Sequence, residues 1–124
     1  IDIRYPVSVD KEFITQAMAL SAEKYGLRLE EYDYLRAIHM DQSSDFIQTL
    51  MSIYQRESKD YKSKPMASGG ATYARAMDNI VAFGPAFEGH EQFEHQANER
   101  VLIEDVKLAM RIYYYTFKEL VFEK

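Results

Sequence analysis

The chain has 124 residues, the length of one ordinary domain, and a domain of this size buries roughly 65–70% of the surface of its unfolded chain. With 47% hydrophobic and 28% charged residues, it has the composition of a globular protein rather than a disordered one. The net charge of −5 argues against a nucleic-acid partner, the lack of cysteine excludes disulfides and thiol catalysis, and no apolar run reaches the 18 or so residues of a membrane span.

The first 40 residues predict strands on either side of one helix. Apolar and charged residues alternate over residues 1–7, as they do along a half-buried strand. Apolar residues from Phe13 to Leu20 then recur at helical spacing, and Ser8 is the predicted N-cap of this helix. Alternation returns in residues 27–40, which predicts two short strand pieces joined by an acidic turn.

The rest of the chain predicts two helices, two strands and a loop. The long C-terminal helix is the most regular of these, because its apolar residues recur every three or four positions. The predicted elements are a helix at 46–54, strands at 65–68 and 80–83, a loop at 86–98 and a helix at 103–120. Gly84 and Pro85 close the second strand.

The order of these elements is typical of an α/β protein. Strand, helix, strand, helix, strand, strand and helix follow one another along the chain. Residues 1–40 are interpreted as part of a small α+β unit, and residues 41–124 as a sheet-and-helix layer of something larger.

Three segments contain residues that could carry chemistry, and each also has an ordinary structural interpretation. The loop of residues 89–99 holds His90 and His95, which are either metal ligands or two solvated histidines. Gly69–Gly70 lets backbone amides approach an anion, or forms a plain turn. The planar guanidinium of Arg4 either binds a carboxylate through two hydrogen bonds or belongs to an ordinary exposed arginine of a strand.

Taken in order along the chain, several short runs resemble one family of enzymes. The runs are Asp2–Pro6, Gly69–Met77, Asn79, Val81–Pro85 and His95–Glu99. Together they are similar to the lid strand and the C-terminal third of dipeptidase V-like enzymes. These enzymes are di-zinc metallopeptidases, a family that also includes carnosinases, aminoacylases and glutamate carboxypeptidases. The resemblance extends over essentially the whole chain.

The resemblance implies roles for individual residues. His95 matches the last zinc ligand of the family, and Arg4 matches the lid arginine that binds the terminal carboxylate of the substrate. The residues that match the turn lining the substrate pocket are Gly69, Gly70, Ala71 and Thr72. Ala71 departs from the family, which usually has a third glycine there.

The resemblance also implies an architecture and an activity. Residues 1–40 would be the C-terminal part of a ferredoxin-like α+β lid domain, and residues 41–124 the C-terminal segment of a zinc-peptidase-like α/β catalytic domain. The complete enzyme would be a cytoplasmic hydrolase that holds two zinc ions and cleaves dipeptides with metal-activated water. His90 and His39 have no counterpart with an assigned role.

We expect the chain to be a fragment that is inactive by itself. It opens at Ile1, without methionine, inside a predicted strand. The resemblance assigns it one zinc ligand, whereas a catalytic zinc needs about three protein ligands and an open position. The alternative is a non-catalytic α/β binding or dimerisation module derived from such a peptidase. In either case unpaired strand edges would favour self-association.

Overall fold

The computed structural model describes residues 1–84 and 86–122, and these form two compact units. The first unit comprises Ile1–His39 and Ser68–Val81, and the second comprises Met40–Ala67 and Ala82–Lys124. Three α-helices are present in the described residues: α1 (Lys11–Glu23), α2 (Asp45–Ser58) and α3 (Ile103–Phe117). A 3-10 helix at Tyr73–Ala76 and a π-helix at Lys118–Phe122 complete the helical elements.

The core of the second unit lies between α2, α3 and the segment that precedes α3. Ile53 of α2 is fully buried, and it clusters with Phe87, Ala109 and Ile112. The ring of Tyr54 stacks on Phe87 with 6.3 Å between the ring centroids. Helical spacing of the apolar residues in both helices therefore produces two faces that bury each other.

Polar contacts fix the end of α2 against α3. Arg111 donates to the Glu57 carboxylate at 2.9 Å and to the Glu57 carbonyl at 2.8 Å. Arg56 pairs with Glu119 at 2.8 Å, and its guanidinium lies over the ring of Tyr115. The bidentate use of Arg111 fixes the register of the two helices more firmly than a single exposed ion pair would.

The first unit has very little core. None of the 13 residues of α1 is buried, and of the part of this unit that the structure describes only Ala74 is buried. Asp10, rather than the predicted Ser8, caps α1 by accepting from the Glu12 amide at 2.9 Å. Exposed polar contacts hold the unit, such as the Lys11–Glu31 ion pair at 2.8 Å.

The predicted helices are confirmed, whereas the predicted α/β fold and its ferredoxin-like lid are wrong. Residues 1–84 and 86–122 contain no strand, so the strands predicted at 1–7, 27–40, 65–68 and 80–83 are absent. Pro85, predicted to close the last of these, lies outside the described residues. Alternation produces a strand only where a neighbouring strand completes the hydrogen bonds and one face is buried.

The N-terminal segment lacks the buried face that a strand of this pattern requires. Ile1, Ile3 and Tyr5 alternate with charged residues in the first predicted strand, and of these Ile1 and Ile3 are exposed while Tyr5 is half-buried. Self-association of the chain through strand edges stays a prediction. The division into domains at residues 40 and 41 stays a prediction.

No α-helix found in residues 1–84 or 86–122 has both the length and the apolar character needed to cross a membrane.

Candidate functional site

Arg4 and Gly69, both predicted to bind substrate, are brought together although 65 positions separate them. Arg4 Nη1 donates to the Gly69 carbonyl oxygen at 2.7 Å. Arg4 Nε and Nη2 both donate to Asp2 Oδ2, at 3.2 and 2.9 Å. The guanidinium is therefore held by a backbone carbonyl on one edge and by a carboxylate on the other.

The Asp2 carboxylate occupies the edge of the Arg4 guanidinium formed by Nε and Nη2. The hydrogen bond from Arg4 lowers the pKa of the Asp2 carboxyl, and the same bond raises the pKa of Arg4. Because both side chains are about two-thirds or more exposed, the pair is well screened by water. The bond from Arg4 Nη1 to the Gly69 carbonyl is separate from both contacts with Asp2.

The turn that follows Gly69 is open on its outer side. The Gly70 amide donates to Ser68 Oγ at 3.1 Å, and Thr72 caps the 3-10 helix by accepting from the Ala74 amide at 3.2 Å. Gly70 and Ala71 are both exposed. A Cβ added at Gly69 would meet Arg4 Nη1 at 3.6 Å, an ordinary contact, so the packing around Gly69 does not itself demand glycine.

His95, the predicted zinc ligand, lies in the exposed loop before α3. Its backbone is left-handed, with φ of 61°, and its side chain makes no hydrogen bond or ion pair with any described residue. Within residues 1–84 and 86–122, no group of three or more His, Cys, Asp or Glu residues is placed to hold a metal ion. These residues alone therefore do not fit a complete zinc site, which needs about three protein ligands.

The closest pairing of titratable side chains in this loop involves His90, to which the sequence assigned no role. His90 Nδ1 lies 2.6 Å from Asp105 Oδ1, and the Asp105 residue is 6% exposed. Where the carboxylate is ionised it only accepts hydrogen bonds, and the proton of the pair then lies on Nδ1. In the neutral ring Nε2 is then an acceptor. Imidazoles that act as bases or as metal ligands often have this tautomer, because a carboxylate accepts from their other ring nitrogen.

A sequence signal for this pair exists in α3. Asp105 shares the buried face of the helix with Ala109 and Ile112, four and seven positions further on. A carboxylate at such a position must find a partner, because an unpaired buried charge is costly. It also lies in the first turn of α3, where the helix dipole favours a negative charge.

From His90 onward, a series of contacts organises the loop that carries His95. The Gln92 side chain donates to the His90 carbonyl at 3.4 Å, and the Gln96 side chain donates to the Gln92 carbonyl at 3.1 Å. Arg100 lies over the ring of Phe93, with 3.6 Å from its Cζ to the ring centroid. The His90–Asp105 pair thus anchors the beginning of this loop to α3.

Replacing Asp105 by alanine is expected to lower the free energy of unfolding by about 1–3 kcal/mol, since it removes the buried partner of His90. Chemical denaturation followed by circular dichroism measures this difference. Glu104→Ala is the matched control, because Glu104 lies in the same helical turn but is exposed. Equal destabilisation by the two substitutions would contradict the anchoring role of Asp105.

Comparison with known proteins finds relatives that are much longer than this chain. The chain is 34% identical over 113 residues to a protein of Staphylococcus haemolyticus named "putative dipeptidase". It is 31% identical over 113 residues to proteins of the same name from two strains of Staphylococcus aureus. Each match covers 91% of this chain and 24% of the relative, so the chain spans about a quarter of the length of these relatives.

No family model matches the chain. No solved structure matches it either.

Proposed function

We propose that this chain is part of a dipeptidase, in which Arg4 and Gly69 form the site for the terminal carboxylate of a short peptide. The observation that carries the proposal is the hydrogen bond between Arg4 and the Gly69 carbonyl. It joins two segments that the resemblance assigns to the same substrate pocket. The similarity to proteins named as dipeptidases, over 91% of the chain, supports the same activity.

The arrangement of Arg4 accounts for how a peptide end would be recognised. The Gly69 carbonyl fixes one edge of the guanidinium, so that Nε and Nη2 face outward together. A peptide carboxylate replaces Asp2 at these two donors and forms a bidentate pair. Gly70, Ala71 and Thr72 continue from the same turn and line the path of the bound peptide. This preference for a free carboxylate would direct cleavage to bonds near the C-terminal end of a peptide.

His95 is the candidate for one ligand of a zinc ion in the complete enzyme, a cytoplasmic metallopeptidase with two zinc ions. Because one histidine does not hold a catalytic zinc, the remaining ligands would come from polypeptide that aligns with the unmatched part of the relatives. We expect the chain by itself not to hydrolyse a dipeptide.

A hybrid protein makes these roles measurable. In it, the whole of this chain replaces the region of the Staphylococcus haemolyticus relative that matches it over 113 residues. In the hybrid protein, Arg4→Ala is expected to lower kcat/KM for a dipeptide roughly 10- to 100-fold, since it removes a charge-assisted pair with the substrate. Steady-state kinetics with a dipeptide and with its C-terminally amidated form measure the effect, which should be confined to the free acid.

Arg28→Ala is the matched control for this substitution. Arg28 is exposed in the same unit and also pairs with an acidic residue two positions away, Glu30, at 3.0 Å. It has no contact with the glycine turn, so its loss should leave kcat/KM within about twofold. An Arg4→Ala hybrid that is as active as the Arg28→Ala hybrid would refute the carboxylate site.

A further inference from the structure

One exposed face of α3 is apolar along the whole helix. At about 100° of rotation per residue, five apolar side chains fall within a sector of about 80°. We call these residues the α3 stripe: Ile103, Val106, Met110, Tyr114 and Phe117. All five are exposed, with Met110 retaining 66% and Phe117 retaining 63% of the full accessible surface.

The α3 stripe is distinct from the face that α3 already buries. Asp105, Ala109 and Ile112 form that buried face, whose centre lies about 130° around the helix from the centre of the stripe. A helix that is apolar on two faces is typical of a position between two packed layers. With roughly 100 Å² exposed for each side chain, the α3 stripe amounts to roughly 500 Å², near the upper end of the largest apolar patch on typical monomers.

We propose that the α3 stripe binds polypeptide equivalent to the part of the staphylococcal relatives that this chain does not match. The inference rests on the proposed function, because it supplies the surface through which the chain would join the rest of a dipeptidase. A match that covers 91% of the chain includes most of α3, so the relatives have a segment that aligns with this helix. They also have about three times as much polypeptide outside the match, which is available to cover it.

The charges beside the α3 stripe define the partner further. Lys107 is exposed along one edge of the stripe, whereas Arg111, on the same side, is already paired with Glu57. The complementary surface is therefore apolar at its centre, and it carries a carboxylate where it meets Lys107.

Hydroxyl-radical footprinting read by mass spectrometry tests the proposal on unmodified side chains. Met77, which is 62% exposed and lies outside α3, is the internal reference for Met110. In the chain alone, both methionines should oxidise at similar rates at every protein concentration. In the hybrid protein, Met110 should oxidise at least tenfold more slowly than in the chain alone.

Two results would overturn the proposal. The first is an equal rate of Met110 oxidation in the chain and in the folded hybrid protein. The second is protection of Met110 in the chain alone that increases with concentration, because the occupant would then be a second copy of this chain.

Co-expression provides a second measurement that does not require the hybrid protein to fold. The chain and the unmatched part of the Staphylococcus haemolyticus relative are produced together, and the chain is purified through a tag. The relative's polypeptide should co-purify with the unmodified chain and with Met77→Glu, and it should be lost with Met110→Glu. Failure to co-purify with the unmodified chain, or equal recovery with all three chains, would contradict the docking surface.

Different experimental results would refute the docking surface and the proposed function. Protection of Met110 in a hybrid protein that hydrolyses no dipeptide would support the docking surface and refute the activity. Dipeptide hydrolysis by a hybrid protein in which Met110 stays fully reactive would support the activity and refute the docking surface.

Discussion

Replacing Ile53 by alanine is expected to lower the free energy of unfolding of the chain by about 2–5 kcal/mol. Ile53 is fully buried, at the point where α2, α3 and Phe87 meet. The substitution removes three carbons from a site whose walls belong to different segments, so the cavity closes only in part. Urea denaturation followed at 222 nm should show a lower transition midpoint with an unchanged slope.

Ile103→Ala is the control for this prediction, because it makes the same chemical change at an exposed position of α3. Ile103 retains 68% of its accessible surface, so its truncation should alter the free energy of unfolding by no more than about 0.5 kcal/mol. If both variants unfolded at the same urea concentration, Ile53 would not be the centre of a packed core.

Replacing His95 by alanine in the hybrid protein is expected to lower dipeptide turnover by at least about 100-fold and to reduce the bound zinc. His95 is exposed and makes no hydrogen bond or ion pair with a described residue, so the change should leave thermal unfolding of the metal-free protein nearly unaltered. Activity, zinc per protein and melting temperature together separate loss of a ligand from loss of folding.

The exposed histidine His39 supplies the control, since the resemblance gives it no role. His39→Ala should retain both the zinc content and the turnover of the unmodified hybrid protein. The ligand role of His95 would be ruled out by a His95→Ala hybrid whose zinc content equals that of His39→Ala.

The helices could be predicted from the sequence because helical periodicity is a local property. The spacing of Phe46, Leu50, Ile53 and Tyr54 predicts this helix, and the structure buries Leu50 and Ile53 within α2. The predicted cap of α1 was wrong by two residues, because serine and aspartate are both favoured cap residues and here Asp10 accepts from the helix amide. The local pattern therefore predicts the presence of a helix more reliably than it predicts the residue at which the helix begins.

The strands could not be predicted in the same way, because a strand depends on a partner remote in sequence. The alternation of Ile1 and Ile3 with charged residues is compatible with a half-buried strand, yet both isoleucines are exposed in the structure. Only pairing and a covering layer turn such a pattern into a sheet. The α/β prediction failed at this non-local step.

The candidate site was predictable in part. Arg4 and the turn from Gly69 to Thr72 were singled out through the resemblance, and the structure adds the hydrogen bond between Arg4 and Gly69. The His90–Asp105 pair was missed because His90 has no counterpart in the family. Asp105 lies in the first turn of α3, and its burial depends on how α3 packs against α2.

Hydrolysis of a dipeptide by the hybrid protein tests the central claim, that this chain supplies part of a dipeptidase site. The assay compares three proteins supplemented with zinc: the hybrid, the unmodified Staphylococcus haemolyticus relative and this chain alone. We predict turnover by the hybrid within about tenfold of the relative, and no turnover by the chain alone. A folded hybrid without activity beside an active relative would contradict the claim, as would a relative that does not cleave dipeptides.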